Sequence, residues 1–277
     1  MKMQAKGIAA THTAAECVAL ARHAQRPGTA DYIARLFSDF FPLCGDRHQG
    51  EDESILAGLA FYKGIPVTVI GHRKGKTLEE NLRANFGMPN PEGYRKAQRL
   101  MEQAEKFGRP VITFIDTPGA YPGLEAEARG QGEAIACCLA LMSRLTVPTI
   151  SVVIGEGGSG GALALCVSDR ILMLENAVFS VLSPEGFATI LWKDATRAHE
   201  AAEKMGLTAQ NLLALGIIDA IVPEPLEGAH ANPDEVFAAL DTLLYQELSV
   251  LRSQSGAARQ KIRYKKLRAI GNRKESL

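Results

Sequence analysis

The stretch Thr149-Ile150-Ser151-Val152-Val153-Ile154-Gly155-Glu156-Gly157-Gly158-Ser159-Gly160-Gly161-Ala162 limits the possible folds more than any other part of the sequence. A run rich in β-branched residues reads as a buried strand. It enters a turn, Gly155 to Gly161, in which five of seven residues are glycine, and a helix leaves it at Ala162 to Val167. Such a turn lets backbone N–H groups approach a ligand closely, and the helix adds its N-terminal dipole. That chemistry stabilises an anion, but the turn alone does not say which.

Three readings of this turn compete. Gly155-x-Gly157-x-x-Gly160 is a literal dinucleotide fingerprint, with Glu175 downstream as the acid. Gly157-x-Ser159-x-Gly161 is a literal nucleophile elbow, followed in hydrolase order by Asp194, Asp219, His199 and His230. A tight strand-to-helix packing turn is the third. A turn this rich in glycine matches glycine patterns by accident. A dinucleotide loop also normally follows the first strand of its domain, whereas several strands precede this one. His199 falls in a predicted helix and His230 in a proline-rich segment, so both read as structural.

The surrounding pattern indicates an α/β architecture. Helices are expected at Ala14 to Arg26 and Asp31 to Phe40, and strands at Ser54 to Phe61 and Val67 to Ile70, with Lys63-Gly64 as a hairpin turn between the strands. Pro91 to Phe107 carries proline at its start and Gly108 just past its end, the usual helix punctuation. A strand at Val111 to Ile115 runs into the loop Asp116 to Gly123, and a helix follows at Glu125 to Leu145. Strands are expected at Arg170 to Leu174 and Val178 to Leu182, with helices at Pro184 to Trp192 and from Asn232-Pro233 past Leu251, and a loop after Asp219-Ala220-Ile221-Val222. The divisions are 1–50 as an N-terminal helical segment, 51–232 as the core, and 233–277 as a C-terminal helix with a basic tail. The tail holds Arg259, Lys261, Arg263, Lys265, Lys266, Arg268, Arg273 and Lys274. It reads as a solvated or frayed end, with docking to a partner or a phosphate as the alternative.

Composition excludes several classes of function. Lysine plus arginine number 31 and aspartate plus glutamate also 31, so no whole-chain field favours nucleic acid or membrane. No apolar run approaches the roughly 18 residues needed to span a bilayer. Met1 to Ala10 lacks the apolar core of a signal peptide, so a cytoplasmic protein is expected. The five cysteines, Cys17, Cys44, Cys137, Cys138 and Cys166, form no C-x-x-C pair. They suit neither a disulfide framework nor a zinc site, so no metal is expected.

The turn gains meaning beside Phe114-Ile115-Asp116-Thr117-Pro118-Gly119-Ala120-Tyr121-Pro122-Gly123, Asn85-Phe86-Gly87-Met88 and Pro91-Glu92-Gly93-Tyr94-Arg95-Lys96-Ala97. Together with Ile154 to Leu165, Ser183-Pro184-Glu185-Gly186, Ile190-Leu191-Trp192-Lys193 and Pro223-Glu224-Pro225-Leu226, these resemble the alpha subunit of bacterial acetyl-CoA carboxylase carboxyltransferase. The likeness runs from about Ala21 to Pro233. Many members of that family carry a longer helical N-terminal extension, and the basic tail looks particular to this chain.

The resemblance implies a crotonase-type spiral of strand-strand-helix units with helical extensions. It implies transfer of a carboxyl group from carboxybiotin, on a biotin carboxyl carrier protein, to acetyl-CoA, giving malonyl-CoA for fatty acid synthesis. In this family carboxybiotin, once decarboxylated, can itself take the methyl proton, so no protein general base is required. Carried over, Gly160 and Gly161 are the oxyanion donors, and Gly119 and Ala120 shape the facing wall. Gly157, Gly158 and Tyr121 border the substrate. Arg73, Lys74 and Lys76 either reach CoA phosphates or form a solvated loop. Ser159 is a loop residue. The resemblance further implies an α₂β₂ assembly with a carboxyltransferase beta subunit, which carries the zinc and the thioester hole, and no cofactor held by this chain itself. Two other functions stay open: a stand-alone crotonase-type acyl-CoA hydrolase or isomerase, using Glu125 or Glu156, and a non-catalytic scaffold.

Overall fold

The computed structural model describes residues 12–271. Met1 to Ala10, and Arg273 and Lys274 of the basic run, lie outside them. Among the described residues one sheet has eight strands: β1 (Ser38–Pro42), β2 (Ile55–Tyr62), β3 (Ile65–His72), β4 (Val111–Thr117), β5 (Thr149–Gly158), β6 (Arg170–Leu174), β7 (Val178–Ser180) and β8 (Ala220–Val222). Their order is β1-β2-β3-β4-β5-β6-β8, with β7 pairing only the outer end of β5.

The Lys63-Gly64 hairpin forms as expected. Tyr62 faces Ile65, and both turn residues take left-handed backbone, which a two-residue turn needs to match strand twist. From β3 onward every pairing is parallel. Parallel strands are covered on both faces, which explains why all seven residues of β4 are buried and why four of its first five, Val111, Ile112, Phe114 and Ile115, are apolar.

The helix Pro91–Phe107 keeps its expected limits, with Pro91 at its first position and Gly108 closing it at φ 67°. It buries Tyr94, Ala97, Leu100, Met101 and Ala104 and packs on β2, β3 and the helix Gln131–Arg144. One core takes side chains from all three sequence divisions, including Tyr32, Phe114, Val152 and Leu244. A smaller cluster of Ala14, Cys17, Val18, Ala21, Val178, Ala202 and Leu207 fixes the helix Ala14–Ala21 against β7 and the helix Ala198–Met205.

Several local expectations are corrected. The helix expected at Asp31 to Phe40 is Thr29–Leu36, and Phe40 lies instead on β1. Pairing with β2 overrides the helical spacing of the phenylalanines, and Asp39, at φ 53°, sits where the β1–β2 register shifts. The helix expected at Glu125 to Leu145 is two, Leu124–Ala128 and Gln131–Arg144, because Gly130 turns left-handed at φ 85°. The glycine turn is partly strand: β5 runs on to Gly158, and the helix starts at Ser159 rather than Ala162.

Where it is described the basic tail is helical, with Arg259, Arg263 and Lys266 turned onto this chain and Lys261 and Lys265 exposed. The helix spans Gly256–Ala269. Arg259 donates to the carbonyls of Thr146 and Leu251, at 2.6 Å each. Arg263, 1% exposed, donates to Thr149 Oγ1 at 3.0 Å and lies 3.4 Å from Asp169 Oδ1. Lys266 reaches Asp219 at 2.9 Å. Positions 259, 263 and 266 share one helical face. Because that stripe is cationic, a search for apolar periodicity passes over it. Breaking a buried ion pair by removing one partner leaves a charge uncompensated. Arg263→Ala should therefore cost about 3 kcal/mol, against less than about 0.5 kcal/mol for the exposed Lys261→Ala, by denaturant unfolding.

Candidate functional site

The parallel neighbours β4 and β5 end side by side and do not stay in step. Ile115 pairs with Val153, but the next pair is Thr117 with Gly157, so β5 carries extra residues there. Crevices outside the carboxyl ends of such strands are where α/β sheets bind ligands. Here the crevice lies between Thr117 to Tyr121 and Gly157 to Gly161.

Glycine is required there by contact. A Cβ on Gly158 would lie 2.1 Å from the Pro118 carbonyl oxygen. One on Gly161 would lie 2.5 Å from the Ala120 nitrogen and 2.9 Å from the Tyr94 hydroxyl. One on Gly157 would meet the Phe179 ring at 2.7 Å. Gly160 differs, since its nearest neighbour is Ile135 Cγ2 at 3.7 Å and that side is open. Ser159 holds the turn in left-handed backbone at φ 54°, a strained geometry for a residue with a side chain.

This packing leaves a small set of amides at the mouth. Gly119 N–H goes to Thr117 Oγ1 at 3.0 Å and Tyr121 N–H to the Pro89 carbonyl at 3.0 Å. Among the described residues Ala120 N–H has no partner. Gly160 and Gly161 lie in the first turn of the helix Ser159–Leu163, where amides have no carbonyl partner within the helix. The structure thus brings Gly119, Ala120, Gly160 and Gly161 together, with Gly157 and Gly158 behind them and Tyr121 at the end of the wall.

Two hollows adjoin the mouth. One, of about 500 Å³, is apolar and runs from Ser159 and Gly160 to Phe179, Phe187, Met205 and Leu212. The other, of about 510 Å³, is polar. Its floor is Lys74, Asp116 and Pro118, and its rim includes Arg73, Lys76 and Phe86.

Charges in the polar cleft are paired. Lys74 Nζ lies 2.7 Å from Asp116 Oδ1 and 2.9 Å from Glu156 Oε2. Arg22 holds Glu156 at 2.6 Å and Glu185 at 2.7 Å. Burial pushes the Glu156 carboxyl up, but Lys74 and Arg22 outweigh it and hold it below the ordinary glutamate range. Behind Asp116, His72 is fully buried, and burial lowers its pKa to about 3, so the ring is neutral. Its Nδ1 faces the Asp116 amide at 3.4 Å. Arg73 is 3.5 Å from Glu53, and Lys76 is 2.6 Å from Asp31.

The groups needed by the competing readings do not converge. Asp219 pairs with Lys266, Asp194 caps Thr196, His230 stacks on His23 at 3.6 Å, and His199 is exposed. Among the described residues none of them is hydrogen-bonded to Ser159. Glu175 accepts the Glu224 amide, and Glu125 is exposed beside Arg129. Three cysteines, Cys17, Cys138 and Cys166, are buried, with burial pushing the last two up to about 12. Among the described residues no His, Cys, Asp and Glu cluster could hold a metal, and no helix is long and apolar enough to cross a membrane. Sequence reasoning passed over Arg22, His72, Asp116 and Glu185 as site residues. Asp116 and Glu185 lay inside the quoted motifs, but Arg22 meets a partner 134 positions away, for which no local signal exists.

The family model described as acetyl co-enzyme A carboxylase carboxyltransferase-like matches residues 1–271. The acetyl-coenzyme A carboxylase carboxyl transferase subunit alpha of Geobacillus thermodenitrificans is 59% identical over 254 residues, 92% of this chain and 78% of that one. Among solved structures, the beta subunit of P. aeruginosa geranyl-CoA carboxylase superposes with a TM-score of 0.64 at 17% identity, covering 88% of this chain and 46% of that one. A chain of a Pseudomonas malonate decarboxylase hetero-tetramer in complex with coenzyme A gives 0.63 at 19%, covering 78% and 86%. These structures share the fold, the crotonase-type spiral expected from the sequence.

The two neighbouring glycines should respond differently to a methyl group. Gly161→Ala forces backbone apart and should cost about 1–3 kcal/mol of stability, whereas Gly160→Ala, with open space, should cost less than about 1 kcal/mol. Thermal unfolding of the two variants measures this, and equal losses would contradict the close packing at Gly161.

Proposed function

The chain belongs to the acetyl-CoA carboxylase carboxyltransferase alpha-subunit family, and from that premise we propose that the mouth at Gly119–Ala120 and Gly160–Gly161 is its half of the active site. The enzyme is a biotin-dependent transferase that passes a carboxyl group to acetyl-CoA and gives malonyl-CoA. The reading rests on one observation: two backbone turns are packed so closely that glycine is obligatory, and amides without protein partners are left at the opening.

Biotin suits the hollow beside Gly160. That chamber is walled by Leu163, Phe179, Val181, Phe187 and Leu212, with amide donors at one edge, which fits a ring that is apolar apart from its ureido group. Bound there, carboxylated biotin supplies the group to be transferred. The chain's own work is electrostatic. Gly160 and Gly161 N–H, with Ala120 N–H, present fixed dipoles to oxygen that gains negative charge, and cost no reorganisation as the charge develops. Gly157 and Gly158 let the backbone come close, and the apolar walls, once covered by a partner chain, would exclude water and strengthen each dipole. Glu156, locked between Lys74 and Arg22, is not free to act as a base. The proton of the acetyl methyl group would instead pass to the biotin nitrogen that has given up the carboxyl group.

The rim of the chamber is the face for the beta subunit. Val181, Leu215 and Leu163 line the chamber and are 74%, 51% and 42% exposed, and Ile190 and Leu191, on the helix that gives Phe187 to its wall, are also exposed. Exposed large apolar side chains grouped around one opening mark protein contacts. The beta chain would cover the chamber and supply the thioester hole in an α₂β₂ assembly, and a carrier protein would deliver biotin. Arg73, which lines the polar cleft 3.5 Å from Glu53, would meet a CoA phosphate.

Malonyl-CoA decarboxylation with free biotin as acceptor tests this reading. Activity should need the mixture with a beta subunit. It should fall by about a hundredfold or more in Gly161→Val with the complex still assembled, the scale of losing an oxyanion donor. Ser159→Ala should stay within roughly tenfold of wild type, against about a millionfold when a serine nucleophile is removed. Thioester turnover by this chain alone would overturn the reading in favour of a self-sufficient crotonase-type enzyme.

A further inference from the structure

We propose that Lys74 is a positioning residue for the oxyanion turn and not a ligand of substrate phosphate, an inference that rests on the reading of the mouth given above. Its ammonium sits between two carboxylates that belong to the two strand ends forming the mouth: Asp116 from β4 at 2.7 Å and Glu156 from β5 at 2.9 Å. Asp116 Oδ1 also accepts the Glu156 backbone N–H at 3.0 Å, inside the irregular stretch where β5 carries its extra residues. The same oxygen fills the space beside Gly155, where a Cβ would approach it to 2.4 Å. One cation and one carboxylate therefore set the path of β5 just before Gly157. That path carries Gly160 and Gly161 to Ala120.

The chain covers this lysine with a strained turn. Asn85, Phe86 and Gly87 are three successive left-handed residues, at φ 45°, 54° and 77°. Two of them have side chains, so the conformation costs energy and persists only if the surroundings impose it. A Cβ on Gly87 would lie 2.8 Å from Lys74 Cγ and 3.2 Å from the Asp116 carbonyl oxygen. The turn thus lies directly on the Lys74 stem, and this accounts for glycine in the Asn85-Phe86-Gly87-Met88 motif.

Without the lysine charge, Asp116 and Glu156 would face each other as two carboxylates. Like charges so close favour uptake of one proton. Arg22, paired with Glu185, faces the trio from the N-terminal side, and Arg26, paired with Glu224, lies across β5 on the Ile154 carbonyl. Across the cleft lie Lys76 with Asp31, Arg73, Glu80 and His23, and behind Asp116 lies the neutral His72 ring. Burial pushes Lys74 down, but Asp116 and Glu156 outweigh it and hold the ammonium charged above its ordinary range. Wild-type geometry therefore needs no proton on the carboxylates, while a Lys74→Met enzyme recovers it only as pH falls and one carboxylate is protonated.

The test uses the assembled complex with its beta subunit and the decarboxylation assay with biotin as acceptor. An inactive wild-type complex would count against the proposed function itself, separately from this inference. Given an active one, Lys74→Met should lower kcat by roughly tenfold to a hundredfold, the scale of a misplaced catalytic group, with KM for malonyl-CoA within about twofold. Its kcat should rise toward acid pH where wild type does not. Lys74→Met/Asp116→Asn, which removes the cation and one anion together, should regain most of the rate and lose the acid dependence. Arg73→Ala should instead raise KM. A raised KM with unchanged kcat in Lys74→Met would overturn the proposal and make this lysine a phosphate ligand. If Lys74→Met does not assemble, the double variant decides: near-wild-type kcat supports positioning, and an assembled but slow enzyme refutes it.

Discussion

The fold around the mouth depends on one close contact, backbone against backbone, between the turn after β4 and the turn after β5. Pro118 oxygen stands where a Gly158 side chain would be, and Ala120 nitrogen where a Gly161 side chain would be. No side chain fits between the turns, so the dipoles they present are fixed by main-chain geometry. Preorganised dipoles stabilise developing charge without reorientation. A site built this way can work with few conspicuous catalytic side chains. Its precision must then come from whatever holds the two turns in place.

Three layers supply that support. The apolar core anchors the parallel strands, whose buried faces leave little freedom of register. At the strand ends, Lys74, Asp116, Glu156 and Arg22 join β3, β4, β5 and the N-terminal helix through charge-assisted hydrogen bonds. Asp116 is buried and Lys74 and Glu156 are half-buried, so losing one of these three leaves a charge unpaired, whereas Arg22 is exposed and its loss costs less. Farther out, the helix Gly256–Ala269 fastens its arginines to the starts of the strands: Arg263 to Thr149 of β5 and Arg259 to Thr146 just before it. Both ends of β5 are therefore held by cations from distant parts of the chain.

The division between the two hollows also follows from charge. The polar cleft spends its cations on internal partners, with Lys74, Arg22 and Lys76 each paired to a carboxylate. The apolar chamber beside Gly160 has exposed hydrophobic rim residues and open space at Gly160, the one glycine of the Gly155–Gly161 turn with room around it. A ring brought by a second protein and a covering partner chain both suit the latter.

Local sequence determined much of this protein. The Lys63-Gly64 hairpin, the helix Pro91–Phe107 with its Pro91 start and Gly108 stop, and the buried parallel strands were all legible, because turn chemistry and apolar runs act over a few residues. The glycine turn announced backbone chemistry at an anion, and the order of motifs around it identified the family. Tertiary structure alone decided the rest. Pairing with β2 turned Ser38 to Phe40 from helix to strand, and Gly130 split a helix whose apolar spacing looked continuous. It also decided which glycines touch backbone and which face open space, and that Lys74 is bound between two carboxylates rather than solvated. Arg22 with Glu156 and Arg263 with Thr149 pair across more than a hundred positions. Partners that far apart leave no periodicity to read, since only the folded chain brings them within hydrogen-bond reach.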